Sequence, residues 1–211
     1  MADVTSVKCS EMTTRMGTLP FDMQERLCTA ARDGPVENIW ALVKEGADVG
    51  RCDTNGLTAL HHAAFYGNVE TVRVILELGS NVHARSVKIE GHTELAGVLV
   101  ETRDILRALI AYGGTALHMA ASRGHAETLR LLVRMGGDAL AQDANGASPL
   151  HDAAFFGHVE TTRVLVEEMG DDVHTQDVYG HTPLYWAAMG GRAETVRLLM
   201  EMGGDVHAQG S

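Results

Sequence analysis

Aromatic side chains are scarce: 2 tryptophans, 4 tyrosines and 4 phenylalanines supply 5% of the 211 residues. A single large core leans on more bulk than that, so the interior is expected to be built from small residues packed closely. Proline is also rare, at 4 residues, but with 45% hydrophobic and 21% charged residues the chain is neither disordered nor fibrous. Cysteine is limited to Cys9, Cys28 and Cys52, an odd count without CxxC spacing. Neither a disulfide framework nor a zinc finger is expected, and a reducing compartment is the default. No apolar run reaches the ~20 residues of a membrane span, and the first twenty residues hold no signal-like stretch. The expected location is intracellular, cytoplasmic or nuclear. Positive charge is outweighed, 17 basic residues against 28 acidic for a net −11. Nucleic acid and anionic membrane are therefore poor partners. What is abundant instead is glycine (23), histidine (11) and methionine (10).

Self-similarity accounts for that abundance. The stretch TALHHAAFYGNVETVRVILELGSNVHA at 58–84 returns at 115–141, at 148–175 and at 182–208. Thr115 to Ser148 is 33 residues and Ser148 to Thr182 is 34. Within a unit, Thr58, Thr115, Ser148 and Thr182 suit helix N-caps, and Pro149 and Pro183 suit the first helical position. Alanine pairs (63–64, 120–121, 153–154, 187–188) let neighbouring helices approach, and a glycine then ends the helix. A second helix carries apolar residues at helical spacing, such as Val69, Val72, Ile75 and Leu76. Asp53-Thr-Asn-Gly56, Asp143-Ala-Asn-Gly146 and Asp177-Val-Tyr-Gly180 are turn sequences for a hairpin tip. Each unit reads as helix, turn, helix, projecting β-hairpin. None can bury its apolar face alone, so the units must stack.

The period near 33, the T-P-L-H-x-A-A box, G-H-x-E-T and G-G-D-V together resemble the ankyrin repeat. The resemblance covers about nine-tenths of the chain. It implies an all-α repeat fold, an ankyrin-like solenoid at 21–211 following a flexible tail at 1–20. Six units are expected, at about 21–57 (a cap), 58–92, 93–114, 115–147, 148–181 and 182–211. The third is irregular: only 22 residues separate Thr93 from Thr115, and its hairpin is missing. A break in the row of hairpins is expected there, with a wrongly joined exon as the competing explanation. The last unit lacks a polar cap, so Val196, Leu199 and Met200 are expected to stay partly uncovered.

Sorted by repeat position, the histidines are framework. His61, His118 and His151 fall in the box, where the resemblance implies local hydrogen bonding that knits adjacent units. His125 and His158 follow the turn glycine, and of the eleven only His62 holds a variable position. No metal ligand set, cofactor motif or catalytic constellation stands out, so neither metal, cofactor nor enzymatic activity is expected.

Aromatics carry the functional reading. The resemblance places Phe65, Tyr66, Phe155, Phe156, Tyr179, Tyr185 and Trp186 in or beside the concave groove where such proteins meet partners. Packing between helix and hairpin is the competing role for one member of each pair. His62, Met119, Ser122, Arg123 and Asp152 should face the same groove, with Arg51, Asp53, Asn55, Arg85, Lys88, Asn145 and Val178 at the tips. The expected function is non-catalytic protein binding, with basic partners favoured by charge. Two alternatives are the recognition arm of a larger protein, such as a ubiquitin-ligase adaptor, kinase or channel, and a scaffold that self-associates through its last unit.

Overall fold

The computed structural model describes residues 18–87 and 113–205, with side chains from residue 23. Among the described residues ten helices fall in five antiparallel pairs. They are α1 (Thr18–Asp33) and α2 (Val36–Lys44), α3 (Ala59–Tyr66) and α4 (Val69–Glu77), α5 (Ala116–Arg123) and α6 (Ala126–Arg134), α7 (Pro149–Phe156) and α8 (Val159–Glu167), and α9 (Pro183–Met189) and α10 (Ala193–Glu201). The first helices of successive pairs meet more extensively than the second helices do, so the stack bends with α1, α3, α5, α7 and α9 inside. Alanine permits that approach: Ala63, Ala64, Ala120, Ala121, Ala153 and Ala154 are all fully buried. Leu60, Leu117, Leu150, Ile75, Leu132 and Leu165 fill the space between the rows.

The caps form around the box histidine. The backbone N–H of Thr58, Thr115 and Ser148 donates to Nδ1 of His61, His118 and His151 at 3.2, 3.1 and 3.1 Å. That fixes the proton on Nε2, which donates forward to the carbonyls of Gly114, Ala147 and His181 at 3.2, 3.0 and 3.1 Å. A second strap runs backward. His125, His158 and Arg192 donate to the carbonyls of Phe65, Ser122 and Phe155 at 3.1, 3.0 and 2.9 Å. Asn68 does the same to Ala31 and Arg32. Gly67 ends α3 at φ +73, and a Cβ there would meet the His125 ring at 2.6 Å, so glycine both reverses the chain and admits the strap.

No β-ladder forms among the described residues; a single bridge joins Cys52 and Thr58. The expected hairpins are closed at their tips by two backbone bonds each, such as Asp53 N–H to Leu57 O at 2.8 Å and Gly56 N–H to Asp53 O at 3.1 Å, and by side chains. Asp53 Oδ1 accepts from the backbone N–H of Asn55 and Leu57, and Asp143 and Asp177 repeat the arrangement. Where no disulfide framework was expected, Cys52 is disulfide-bonded, whereas Cys28 is free and buried.

The expected break in the hairpin row is absent. Ser86 N–H donates to Gly114 O at 2.9 Å and Gly113 N–H to Ser86 O at 3.2 Å, closing the same turn that Asp143 and Ala147 close. Gly113, at φ +71, takes the place of Gly146 at +75. Helix α3 therefore packs directly on α5. The 57 residues from Thr58 to Thr115 exceed the regular 33 by 24, which is the length by which 88–112 exceeds the one tip residue, Asn145, that it replaces. Residues 88–112, where the third unit's helices were expected, lie outside the described residues, as do 1–17 of the expected tail. At the other end Leu199 is fully buried, contrary to expectation, because Leu184 and Ala187 of α9 cover it, while Met200 is 49% exposed.

Replacing 88–112 by a single asparagine should leave the stack intact. Shortening the closed loop from about 28 residues to about 4 saves roughly three doublings, or ~2 kcal/mol. The expected result is an unchanged helical circular dichroism spectrum with a melting temperature equal to or above the parent's. Loss of cooperative unfolding in the deletion variant would contradict direct stacking of α3 on α5.

Candidate protein-binding surface

One helical position decides what lies under each hairpin. The fourth residue of α3, α7 and α9, His62, Asp152 or Trp186, faces the residue that closes the adjacent turn, and Met119 holds that position in α5. His62 Nε2 meets Asp53 Oδ2 at 2.7 Å, and Trp186 Nε1 donates to Asp177 Oδ2 at 3.1 Å. Burial opposes ionisation of both aspartates. The His62 bond with the Leu57 and Asn55 N–H groups nevertheless holds Asp53 below the usual carboxylate range, and the His181 and Tyr179 N–H groups with the Trp186 indole hold Asp177 there.

The third pairing sets acid against acid. Asp152 is 1% exposed, its Oδ2 has no hydrogen-bond partner, and burial together with the Asp143 carboxylate pushes it well above the usual range. Burial raises Asp143 as well. Two carboxyl groups in one dry space favour the protonated form of at least one.

This geometry sorts the expected contact residues. Met119, Ser122 and Asp152 are buried, at 4, 5 and 1% exposure, and the Ser122 hydroxyl donates to Met119 O at 2.9 Å. Phe155 is half-buried, edge-on to Phe156 at 5.2 Å and to Trp186 at 6.0 Å. Trp186 is in turn edge-on to His151 at 5.5 Å. Phe155 and Trp186, both half-buried, form a floor beneath the more exposed residues. Phe65 is half-buried beside Tyr66, with the exposed Arg123 guanidinium 4.7 Å above its ring.

Exposed aromatic surface gathers at the hairpin tip around 177–181 and on α9 after it. Tyr179 is 62% exposed and Tyr185 45%. The His181 ring lies between them, stacked on Tyr185 at 4.1 Å and 6°, and 6.0 Å from Tyr179. Val178 and Met189 extend the patch. His181 also approaches Asp177 Oδ2 through Nδ1 at 3.3 Å, so one carboxylate oxygen orients both Trp186 and His181. Sequence reasoning placed His181 only as framework, since its position before the N-cap carries no motif; its stacking depends on Tyr185 four residues on.

Comparison with known proteins agrees with this architecture. The family described as "Ankyrin repeats (3 copies)" matches residues 16–86, 83–177 and 117–210. The chain is similar to the probable E3 ubiquitin-protein ligase XBOS32 of Oryza sativa subsp. japonica, 33% identical over 109 residues, covering 46% of this chain and 22% of that protein. It is 42% identical over 59 residues to an L-asparaginase of Dirofilaria immitis, 28% of this chain and 10% of that protein. It is 35% identical over 66 residues to the potassium channel AKT1 of Arabidopsis thaliana, 31% of this chain and 8% of that protein. The chain thus spans about a fifth or less of these relatives. A ligase, an asparaginase and a channel have no named activity in common.

The acid pair makes a testable prediction with a defined sign. A carboxyl raised in the folded state holds a proton that the unfolded chain releases, so its contribution is full below about pH 4 and is lost as pH rises. Asp152→Asn offers Asp143 an N–H donor, as His62 and Trp186 do for their aspartates. The variant should be more stable by about 1–3 kcal/mol at pH 7, with the gain shrinking toward pH 4. Urea unfolding at both pH values measures it, and a destabilised or pH-independent variant would contradict the pairing.

Proposed function

The chain belongs to the ankyrin-repeat family, whose repeats are protein-interaction modules, and from that premise we propose that it captures a protein partner on its concave face without catalysing a reaction. The observation that carries the reading is the exposed ladder Tyr179, His181 and Tyr185 over the Phe155–Trp186 floor. Tyrosine offers large contact area with few rotors to freeze, and here the floor and Asp177 already hold its surroundings in place. Phe65, Tyr66 and Arg123 form a second contact point toward the N-terminal end, with the half-buried Phe156 between the two. The deeper residues Phe155, Trp186, Met119, Ser122 and Asp152 act by shaping that face.

A non-catalytic role is supported by the chemistry of the nucleophiles: the Ser122 hydroxyl is spent on a carbonyl, and burial pushes the Cys28 thiol up, away from thiolate. Among the described residues no helix is long and apolar enough to cross a membrane. The proposed setting is the cytoplasm or nucleus. Service as the recognition arm of a larger protein is supported by the relatives, in which the matching segment is a small fraction of the whole. Self-association is the second reading, favoured by Met189 and Met200 at 58 and 49% exposure on the last pair of helices.

Affinity purification from the native cell, comparing the parent with Tyr179→Ala/Tyr185→Ala, tests the proposal. At least one co-purifying protein should fall tenfold or more, while Glu70→Ala/Arg73→Ala on the outer helix α4 leaves it unchanged. Recovery of only a second copy of the chain favours self-association. A partner set indifferent to the tyrosines would overturn the concave-face reading.

A further inference from the structure

The first interface of the stack departs from the others in the residue that should strap it. The alanine pair Ala30-Ala31 aligns α1 with α3, and that alignment puts Cys28 where His61, His118 and His151 stand. The three histidines reach the carbonyl of the next hairpin at 3.0–3.2 Å. The shorter cysteine leaves Sγ 4.0 Å from Leu57 O. The strap is thus weakest where α1 meets the hairpin at 52–58.

What gathers around that sulfur differs from every equivalent place. Each interface brings together a box residue, a turn-closing residue and the fourth residue of the next first helix. At the later interfaces these are His61, Ser86 and Met119; His118, Asp143 and Asp152; and His151, Asp177 and Trp186. In those sets the box nitrogens are already spent on the cap and the carbonyl. At the first interface the set is Cys28, Asp53 and His62, and one donor atom from each lies within 4.8 Å of the others. It is the one such group of metal-binding side chains among the described residues.

We propose that Cys28, Asp53 and His62 form a binding site for a borderline divalent cation of the zinc class, which staples the first helix pair to the second. A thiolate, a carboxylate and an imidazole are the donors such an ion takes, and thiolate plus carboxylate neutralise its charge. The ligands come from three separate elements: α1, the hairpin and α3. Tetrahedral coordination sets ligand atoms about 3.5 Å apart, so closure requires movements of about 1 Å. The cation displaces the thiol proton to solvent. The proton shared by Asp53 Oδ2 and His62 Nε2 passes through solvent so that the imidazole keeps its one proton on Nδ1, and the cation inserts between those two atoms, now 2.7 Å apart. A water completes the fourth position on the His62 side, the more accessible one, where the side chain is 16% exposed against 2% for Asp53.

Supporting contacts are already in place. Asp53 Oδ1 is held by the N–H groups of Asn55 and Leu57 at 2.8 and 3.0 Å, which leaves Oδ2 directed at the site. Gln24, 2% exposed, donates to Arg51 O at 2.7 Å and lies 3.8 Å from Cys28 Sγ, where its amide supports a thiolate.

Titration of the full chain with Co²⁺ as a spectroscopic probe, then with Zn²⁺ in competition with a chromophoric chelator, tests the site. One equivalent of Co²⁺ should produce a thiolate-to-cobalt charge-transfer band, and Zn²⁺ should abolish it. Cys28→Ala should remove the band, and His62→Met, which installs the residue found at 119, should weaken Zn²⁺ binding at least tenfold. Both variants are checked for parental circular dichroism. A saturating Co²⁺ spectrum without the sulfur band, or a band that survives both substitutions, would assign binding to other side chains and overturn the proposal.

Discussion

A neutral imidazole buried at the head of a helix is the contact on which this stack depends. His61, His118 and His151 each close their own helix cap through Nδ1 and reach the next repeat through Nε2. Burial lowers all three to about 4, so at neutral pH the ring carries one proton and the bond runs in one direction. Each such bond contributes about 1 kcal/mol net, and the larger effect is what its loss leaves behind, a buried carbonyl and a buried ring nitrogen without partners. The same shift sets an acid limit: below about pH 6.5 the unfolded chain takes up protons that the folded chain refuses, and stability falls toward pH 4.

That strap also explains how the stack tolerates a long excursion of the chain. His61 needs only a carbonyl in the right place, and Gly114 supplies it whether the connection is one tip residue or 88–112. Hairpin tips are therefore sites where length varies at modest entropic cost, while the cap and the straps fix the register on either side. The residue beneath each hairpin is free to differ for the same reason. His62, Met119, Asp152 and Trp186 give four local chemistries on one repeated frame: a candidate cation ligand, an apolar filler, a costly acid pair and an anchored aromatic.

Much of the frame was legible in the sequence because the repeat restates itself. N-cap hydroxyls, alanine pairs, turn glycines and box histidines recur at one spacing, and each has a single physical use. After Val87 the turn before α5 was not legible, for a local reason. Gly113 lies at the end of an apolar run, so it reads as a helix terminator. Its true role as the hairpin-tip glycine depends on pairing with Ser86, 27 residues earlier. The groove was legible in outline only. Sequence position puts Asp152 and Tyr179 on the same concave side, but exposure separates them, 1% against 62%, because one side chain lies under a hairpin and the other stands at its tip. Cys28, Asp53 and His62 are spread over three elements with no motif spacing, so only the fold brings them together.

The central claim is that three buried, neutral, Nε2-protonated histidines join the repeats. Nitrogen-15 NMR of the histidine rings across pH 4.5–8 tests it most directly. The account predicts three rings that hold the Nε2–H form with slowly exchanging ring protons down to about pH 5, well below the ordinary range of ~6.5. Box histidines that titrate near 6.5, or that favour the Nδ1–H form, would contradict it.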